Sequence, residues 1–156
     1  MNINVMNIFS RSLPVVQQTS MAECGLACLS MISSYHDRAI DITTMRLRYA
    51  TSLRGMNLFD IKEIAEKIGF ATRAIRVPIQ MISHIVTPAI LHWDNNHFVV
   101  LKQNSPANRP GRNWDVAVAN GKECELPEIA SIIRSYTERR YRHPEIIVSC
   151  HAVMKP

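Results

Sequence analysis

Two residues, Cys24 and His97, have the types and settings from which nucleophilic acyl chemistry is built. Cys24 stands where the polar stretch Thr19-Ser20-Met21-Ala22-Glu23 gives way to a run that is apolar or small on nearly every side as far as Tyr35. Its sulfur is expected at or near a helix N-terminus, where unpaired backbone N–H groups and the helix dipole favour negative charge and lower a thiol's pKa. Gly25 is expected to leave the backbone beside the sulfur uncrowded for an incoming carbonyl. A cysteine in an apolar helix is also what a small buried core residue looks like, and residue type alone leaves both uses open. Cys28, one turn further in and flanked by Ala27 and Leu29, reads as core, and Cys124 and Cys150 as incidental or structural thiols.

Of the six histidines, only His97 has a turn before it, Asp94-Asn95-Asn96, and a strongly apolar run after it, Phe98-Val99-Val100-Leu101. That setting places an imidazole at the mouth of a strand, held by a rigid element yet open to a cleft. A neutral imidazole there can take a thiol proton and later return it to a leaving amine. A satisfied structural histidine fits the same context equally well. A zinc site is the competing use of the cysteines. Structural zinc takes close pairs of ligands from two separated places, and no second close Cys/His pair accompanies Cys24 and Cys28, so neither a metal nor a cofactor is expected.

The elements that must bring the two residues together fall into two halves. The run from Cys24 to Tyr35 carries no charge, the profile of a helix buried all round. A second, more exposed helix is expected to start near Thr43, with capping residues from Asp41 onward. A third follows Asn57, where Leu58, Ile61, Ile64, Ala65 and Ile68 fall at helical spacing and Gly69 is placed to end it in a left-handed turn. Beyond Gly69 the pattern changes to short β-branched runs at 71–77, 89–93, 98–103, 114–119 and 145–153. Turns are expected at 94–96 and 120–121, a surface loop at 104–113 and a short helix at 128–133 behind Pro127. Helices first and an antiparallel sheet afterwards is an α+β layout. Residues 1–14 read as an N-terminal extension and 15–156 as one domain.

Composition narrows the surroundings. At 156 residues, 47% hydrophobic and 20% charged, the chain has the balance of a globular protein able to bury a core without disulfides or metals. Eighteen basic against thirteen acidic residues give a net charge of +5. The excess gathers at 109–112 and 134–142, which reads as solvated surface. The second stretch interleaves aromatic and basic residues but carries no signature of a common nucleic-acid module, so no nucleic-acid partner is expected. The N-terminus lacks a secretory signal pattern, and no window approaches the ~18 continuous apolar residues of a membrane span. Reduced thiols in the cytosol follow as the default.

The segment Gln18-Thr-Ser-Met-Ala-Glu23-Cys24-Gly25-Leu26-Ala27-Cys28-Leu29-Ser30-Met31-Ile32 resembles the catalytic segment of the bacteriocin-processing peptidase domain of peptide-exporting ABC transporters. Pro88-Ala-Ile-Leu-His-Trp-Asp-Asn-Asn-His97-Phe-Val-Val-Leu101 is similar to its histidine segment. Gly55 and the helix following Asn57 also fit, so the likeness runs from about Val15 to Leu101.

The resemblance implies a papain-like fold, a helical N-terminal half packed on an antiparallel C-terminal sheet. It also implies cleavage after a double-glycine-type motif at the end of a leader peptide. Cys24 would be the nucleophile, His97 the base and Gln18 the oxyanion-hole donor, acting with the Cys24 backbone N–H; such a donor is typically worth ~3 kcal/mol. The implied partners are a precursor with an amphipathic leader helix and a membrane-borne ABC transporter, which would place the domain in the cytoplasm at the inner face of the membrane. The chain itself carries neither spans nor a phosphate-binding Gly-rich motif.

The family orients its histidine with an aspartate in an Asp-Pro-Ala-x-Gly type turn that this sequence lacks. Matching Ala119-Asn120-Gly121 to the end of that turn puts Ala117 at the aspartate position. Matching Asp115-Val116-Ala117 to its start lets Asp115 keep the role, and Asp115 is the expected third group. Without that carboxylate the expectation is reduced activity. A peptidase-like module that grips a leader without cutting it is the second reading. Relatives of that kind lose the nucleophile, and Cys24 is present here. Acyl transfer by the same cysteine and histidine is a third.

Overall fold

A computed structural model of the chain describes residues 12–49, 52, 54–76, 85–92 and 97–102 in full, and the backbone alone at 93, 103, 114–118, 123–125 and 146–152. A single 3-10 turn at Met21–Glu23 leads directly into helix α1, Cys24–Tyr35; α2 spans Ile42–Arg48 and α3 Leu58–Lys67. Six strands follow: β1 Phe70–Arg76, β2 Ala89–Trp93, β3 His97–Gln103, β4 Trp114–Val118, β5 Glu123–Glu125 and β6 Ile146–Ala152. They form one sheet in the order β1-β6-β2-β3-β4-β5, and every neighbouring pair is antiparallel.

Local chemistry accounts for the helices. All of α1 from Cys24 to Ser33 is buried, as its unbroken apolar surface requires. Its two interior hydroxyls are satisfied. Ser30 Oγ donates to the Ile40 carbonyl at 2.7 Å and Ser33 Oγ to the Ser30 carbonyl at 2.9 Å. Asp41 caps α2, accepting from Thr44 N at 2.9 Å, so the helix begins one residue before the expected Thr43. Asn57 and Asp60 form a reciprocal capping box at the head of α3, an arrangement that satisfies two otherwise orphaned donors. Gly69, with φ of +93°, turns the chain out of α3 into β1.

The strand expectations fit to within about a residue at each described end. The differences are β5, which the sequence reading did not contain, and the insertion of β6 between β1 and β2. The expected loop at 104–113, the turns at 94–96 and 120–121 and the helix at 128–133 lie outside the described residues.

The core that carries the site is centred on α1. Leu26, Leu29, Met31 and Ile32 pack with Met45 of α2, Ile61, Ile64 and Ala65 of α3, Phe70 of β1, Ile90 of β2, and Phe98 and Val100 of β3, with Leu13 in the same cluster. The alternate β3 residues Val99 and Leu101 are also buried, but outside this cluster. Strand β3 is therefore covered on both faces, and its first residue is held at the end of a rigid element.

Candidate active site

Cys24 is the first residue of α1 and is 2% exposed. The backbone N–H groups of Phe98, of Gly25 and of Cys24 itself lie close enough to its sulfur to favour the thiolate. The Phe98 N–H belongs to the peptide that His97 begins, so the head of α1 and the head of β3 meet at the thiol. Burial pushes the thiol above its ordinary value and outweighs those three N–H groups, which pull it down. The expected lowering at a helix N-terminus is thus corrected: the dipole and N–H groups act in that direction, but desolvation of a sulfur enclosed by α1 and β3 is larger.

His97 is half-buried at the start of β3, and burial holds its imidazole below the ordinary value. Both shifts favour uncharged forms, a neutral thiol and a neutral imidazole. His97 Nδ1 is buried and has no hydrogen-bond partner among the described residues.

Gln18 lies in the irregular stretch ahead of the 3-10 turn. Its Oε1 is buried without a partner among the described residues, while Nε2 meets only Met21 Sδ at 3.8 Å. A half-turn of the amide about Cγ–Cδ places its NH2 in the buried position, free to donate to an incoming oxyanion.

Asp115 is on β4, with its side chain outside the described residues. The backbone register pairs Asp115 with Lys102 and Ala117 with Val100. These partners are five and three residues beyond His97, or about 17 and 10 Å along the strand at ~3.4 Å per residue. Ala117 is the nearer of the two to His97 along the strand, and both positions share the face of Val100 and Lys102, which alternates with that of His97.

Gly25 has a different role from the one expected of it. A Cβ there would run into Ile61 Cδ1 of α3, with Met56 Sδ 3.0 Å away. The missing side chain lets α3 close against α1.

Sequence reasoning missed the charged group beside the nucleophile. Glu23 accepts from Arg46 Nε at 2.6 Å and Nη2 at 3.0 Å, and from Thr19 N at 3.1 Å and Oγ1 at 2.7 Å. Arg46 Nη2 also reaches Thr19 Oγ1 at 3.1 Å. The Arg46 hydrogen bond, with those from Thr19, lowers the Glu23 carboxyl to about 2. Thr19 and Glu23 are visible in sequence as a polar lead into the helix, but nothing local marks a partner on α2.

A helix lying against an antiparallel sheet, with a cysteine at its head and a histidine at the mouth of the strand it packs on, is the papain-like arrangement of a cysteine peptidase fold. Residues 12–109 match the Peptidase C39 family, and the chain belongs to that family. It is 45% identical over 100 residues to the colicin V secretion/processing ATP-binding protein CvaB of Escherichia coli, a match covering 64% of this chain and 14% of CvaB. It is 46% identical over 91 residues to the probable microcin-H47 secretion/processing ATP-binding protein MchF of the same organism, covering 58% and 13%. The chain therefore spans a small fraction of the length of these relatives.

Among solved structures, a double-glycine-motif protease of an AMS/PCAT transporter, crystallised with its leader peptide, superposes with a TM-score of 0.69 at 23% identity, over 92% of this chain and 94% of that one. The peptidase domain of Streptococcus ComA, a bifunctional ABC transporter, gives 0.68 at 16% identity, over 91% and 100%. Both share the fold. Among the described residues, no group of three His, Cys, Asp or Glu side chains could hold a metal ion, and no helix is long and apolar enough to cross a membrane.

Proposed function

We propose that this chain is a cysteine endopeptidase that removes double-glycine-type leader peptides from secreted bacterial precursors, in the cytoplasm and in conjunction with ABC-transporter export. The observation that carries this reading is the head of α1 brought to the head of β3, so that the Phe98 N–H, in the peptide that follows His97, acts on the Cys24 sulfur, in a chain of the C39 family. His97 takes the thiol proton as the sulfur attacks the carbonyl carbon of the second glycine. The Gln18 amide and the Cys24 N–H receive the oxyanion. The tetrahedral intermediate collapses with transfer of the proton from His97 to the leaving amine, forming a thioester on Cys24. Water, deprotonated by His97, then releases the leader and restores the thiol. The precursor's amphipathic leader helix would seat on the domain and deliver its extended, small-residue tail to the cleft.

The third group is the weak point of the triad. Asp115 remains the carboxylate nearest in sequence to the family's aspartate, but its separation along β3 argues against contact with His97. Ala117 occupies the better-spaced position. A Cys–His pair without an orienting carboxylate still has the chemistry for cleavage, at reduced rate.

The departure from the family's Asp-Pro-Ala-x-Gly turn favours a second reading, a module that binds a leader with little cleavage. Incubating the chain with a synthetic precursor bearing Gly-Gly at the scissile bond, beside a Cys24→Ala control, separates the two. The peptidase reading predicts that the precursor splits after Gly-Gly in the first sample only. An unchanged precursor mass in both rules out proteolysis of that substrate and favours the binder.

A further inference from the structure

The residues that would receive the oxyanion, Gln18 and the Cys24 N–H, are separated by five residues that form no α-helix or strand, and Gln18 makes no strong side-chain hydrogen bond among the described residues. Its amide touches Met21 Sδ at 3.8 Å, and thioether sulfur is a weak acceptor. Whatever fixes this side chain must act through the backbone next to it. We propose that Glu23, clamped by Arg46, is a positioning residue: by gripping both the backbone N–H and the hydroxyl of Thr19, it sets Gln18 at a fixed place beside the head of α1. This inference rests on the peptidase reading of the site and deepens it.

Four donors converge on one carboxylate, two from Thr19 and two from Arg46. The guanidinium grips both oxygens, Nε on Oε1 and Nη2 on Oε2, the fork geometry that fixes a carboxylate's plane as well as its position. Arg46 Nη2 closes the ring by donating to Thr19 Oγ1. The Glu23 side chain is 13% exposed and that of Arg46 32%, so the pair is more sheltered than the average surface ion pair, which contributes little.

Location is what turns this cluster into a positioning device. Glu23 is bonded directly to Cys24, so its main chain leads into the second donor while its side chain holds the residue after the first. One side chain thereby sets the distance between the two. Arg46 ties that spacing to α2, which is anchored in the core by Met45. With its carboxyl lowered to about 2, Glu23 stays ionised throughout the range in which a peptidase of this kind works.

The test compares Glu23→Gln, Arg46→Met and Arg46→Lys with the unmodified chain, alone and in a Gln18→Ala background, on the same synthetic Gly-Gly precursor. Gln18→Ala is expected to lower kcat by about 100-fold. Glu23→Gln and Arg46→Met should each lower kcat by about tenfold with KM within about twofold, the pattern of an interaction expressed in the transition state. Arg46→Lys, which keeps the charge but not the fork, should fall between. In the Gln18→Ala background the same changes should cost nothing further, because residues acting through one group are non-additive. A second measurement needs no turnover. The Gln18 side-chain NH2 resonance, identified by its loss in Gln18→Ala, should move toward the free-glutamine position in Glu23→Gln and Arg46→Met.

An NH2 resonance that stays in place, or a full multiplicative loss in the Gln18→Ala background, overturns the proposal. Should the unmodified chain leave the precursor whole, the peptidase reading falls and the resonance still decides whether Glu23 holds Gln18. Thermal melts identify a variant that fails to fold, in which case Arg46→Lys carries the test.

Discussion

At the residue scale, the protonation states of Cys24 and His97 decide how the reaction starts. The helix N-terminus that makes Cys24 recognisable in sequence also suggests a lowered thiol, yet the enclosed sulfur is raised and the imidazole lowered. Burial depends on which elements pack over a side chain, and residue order near Cys24 does not contain that. The shifts have a definite consequence for pH dependence. The competent substrate-free form, neutral thiol with neutral imidazole, persists from below the ordinary imidazole value to above the ordinary thiol value, ~6.5 and ~8.5. The kcat/KM profile for a Gly-Gly precursor should therefore show a flat top wider than this interval. Alkylation of Cys24 by iodoacetamide, read by mass at that residue, should rise only in the alkaline range. An alkylation midpoint near pH 4, the mark of a preformed thiolate–imidazolium pair, would contradict the neutral site.

At the scale of elements, the helical half was readable because its signals are local: an uncharged run for α1, the Asn57 box and Gly69 for α3. What the pattern did not contain is how the helices approach one another. Gly25 shows the difference, since its sequence position beside Cys24 suggested access to the sulfur whereas the space is taken by Ile61. Gly25→Ala should destabilise the fold by about 1–3 kcal/mol, the usual cost of overpacking a closed interface. Ile61→Val, which removes the Cδ1 in question, should recover part of that loss. Denaturant unfolding of the single and double variants measures both. Equal stability of Gly25→Ala and the parent would show that α1 and α3 are not held this closely.

At the scale of the whole molecule, the sheet order joins pieces distant in the chain. Strand β6 pairs with β1 and β2, a partnership that no local alternation of residues announces, and the short β5 likewise escapes a pattern search. The β3–β4 register matters most for function because it sets which residue of β4 can reach His97. Position 117 is nearer to His97 along the strand than Asp115, so Ala117→Asp should supply an orienting hydrogen bond and raise kcat/KM about tenfold to a hundredfold, since a bond to a charged group contributes ~1.5–3 kcal/mol. Asp115→Asn should leave it nearly unchanged. A large loss on Asp115→Asn, with no gain from Ala117→Asp, would show that Asp115 is the working third group.

The claim on which the rest depends is that the Cys24 sulfur becomes covalently acylated with His97 as its base. Acid-quenching the chain with a Gly-Gly precursor at short times and weighing the intact protein tests it most directly. The account predicts an adduct with the mass of the leader, mapped to Cys24, absent in Cys24→Ala and formed far more slowly in His97→Ala. Cleavage that proceeds undiminished in Cys24→Ala, or an adduct mapped to another residue, would contradict it.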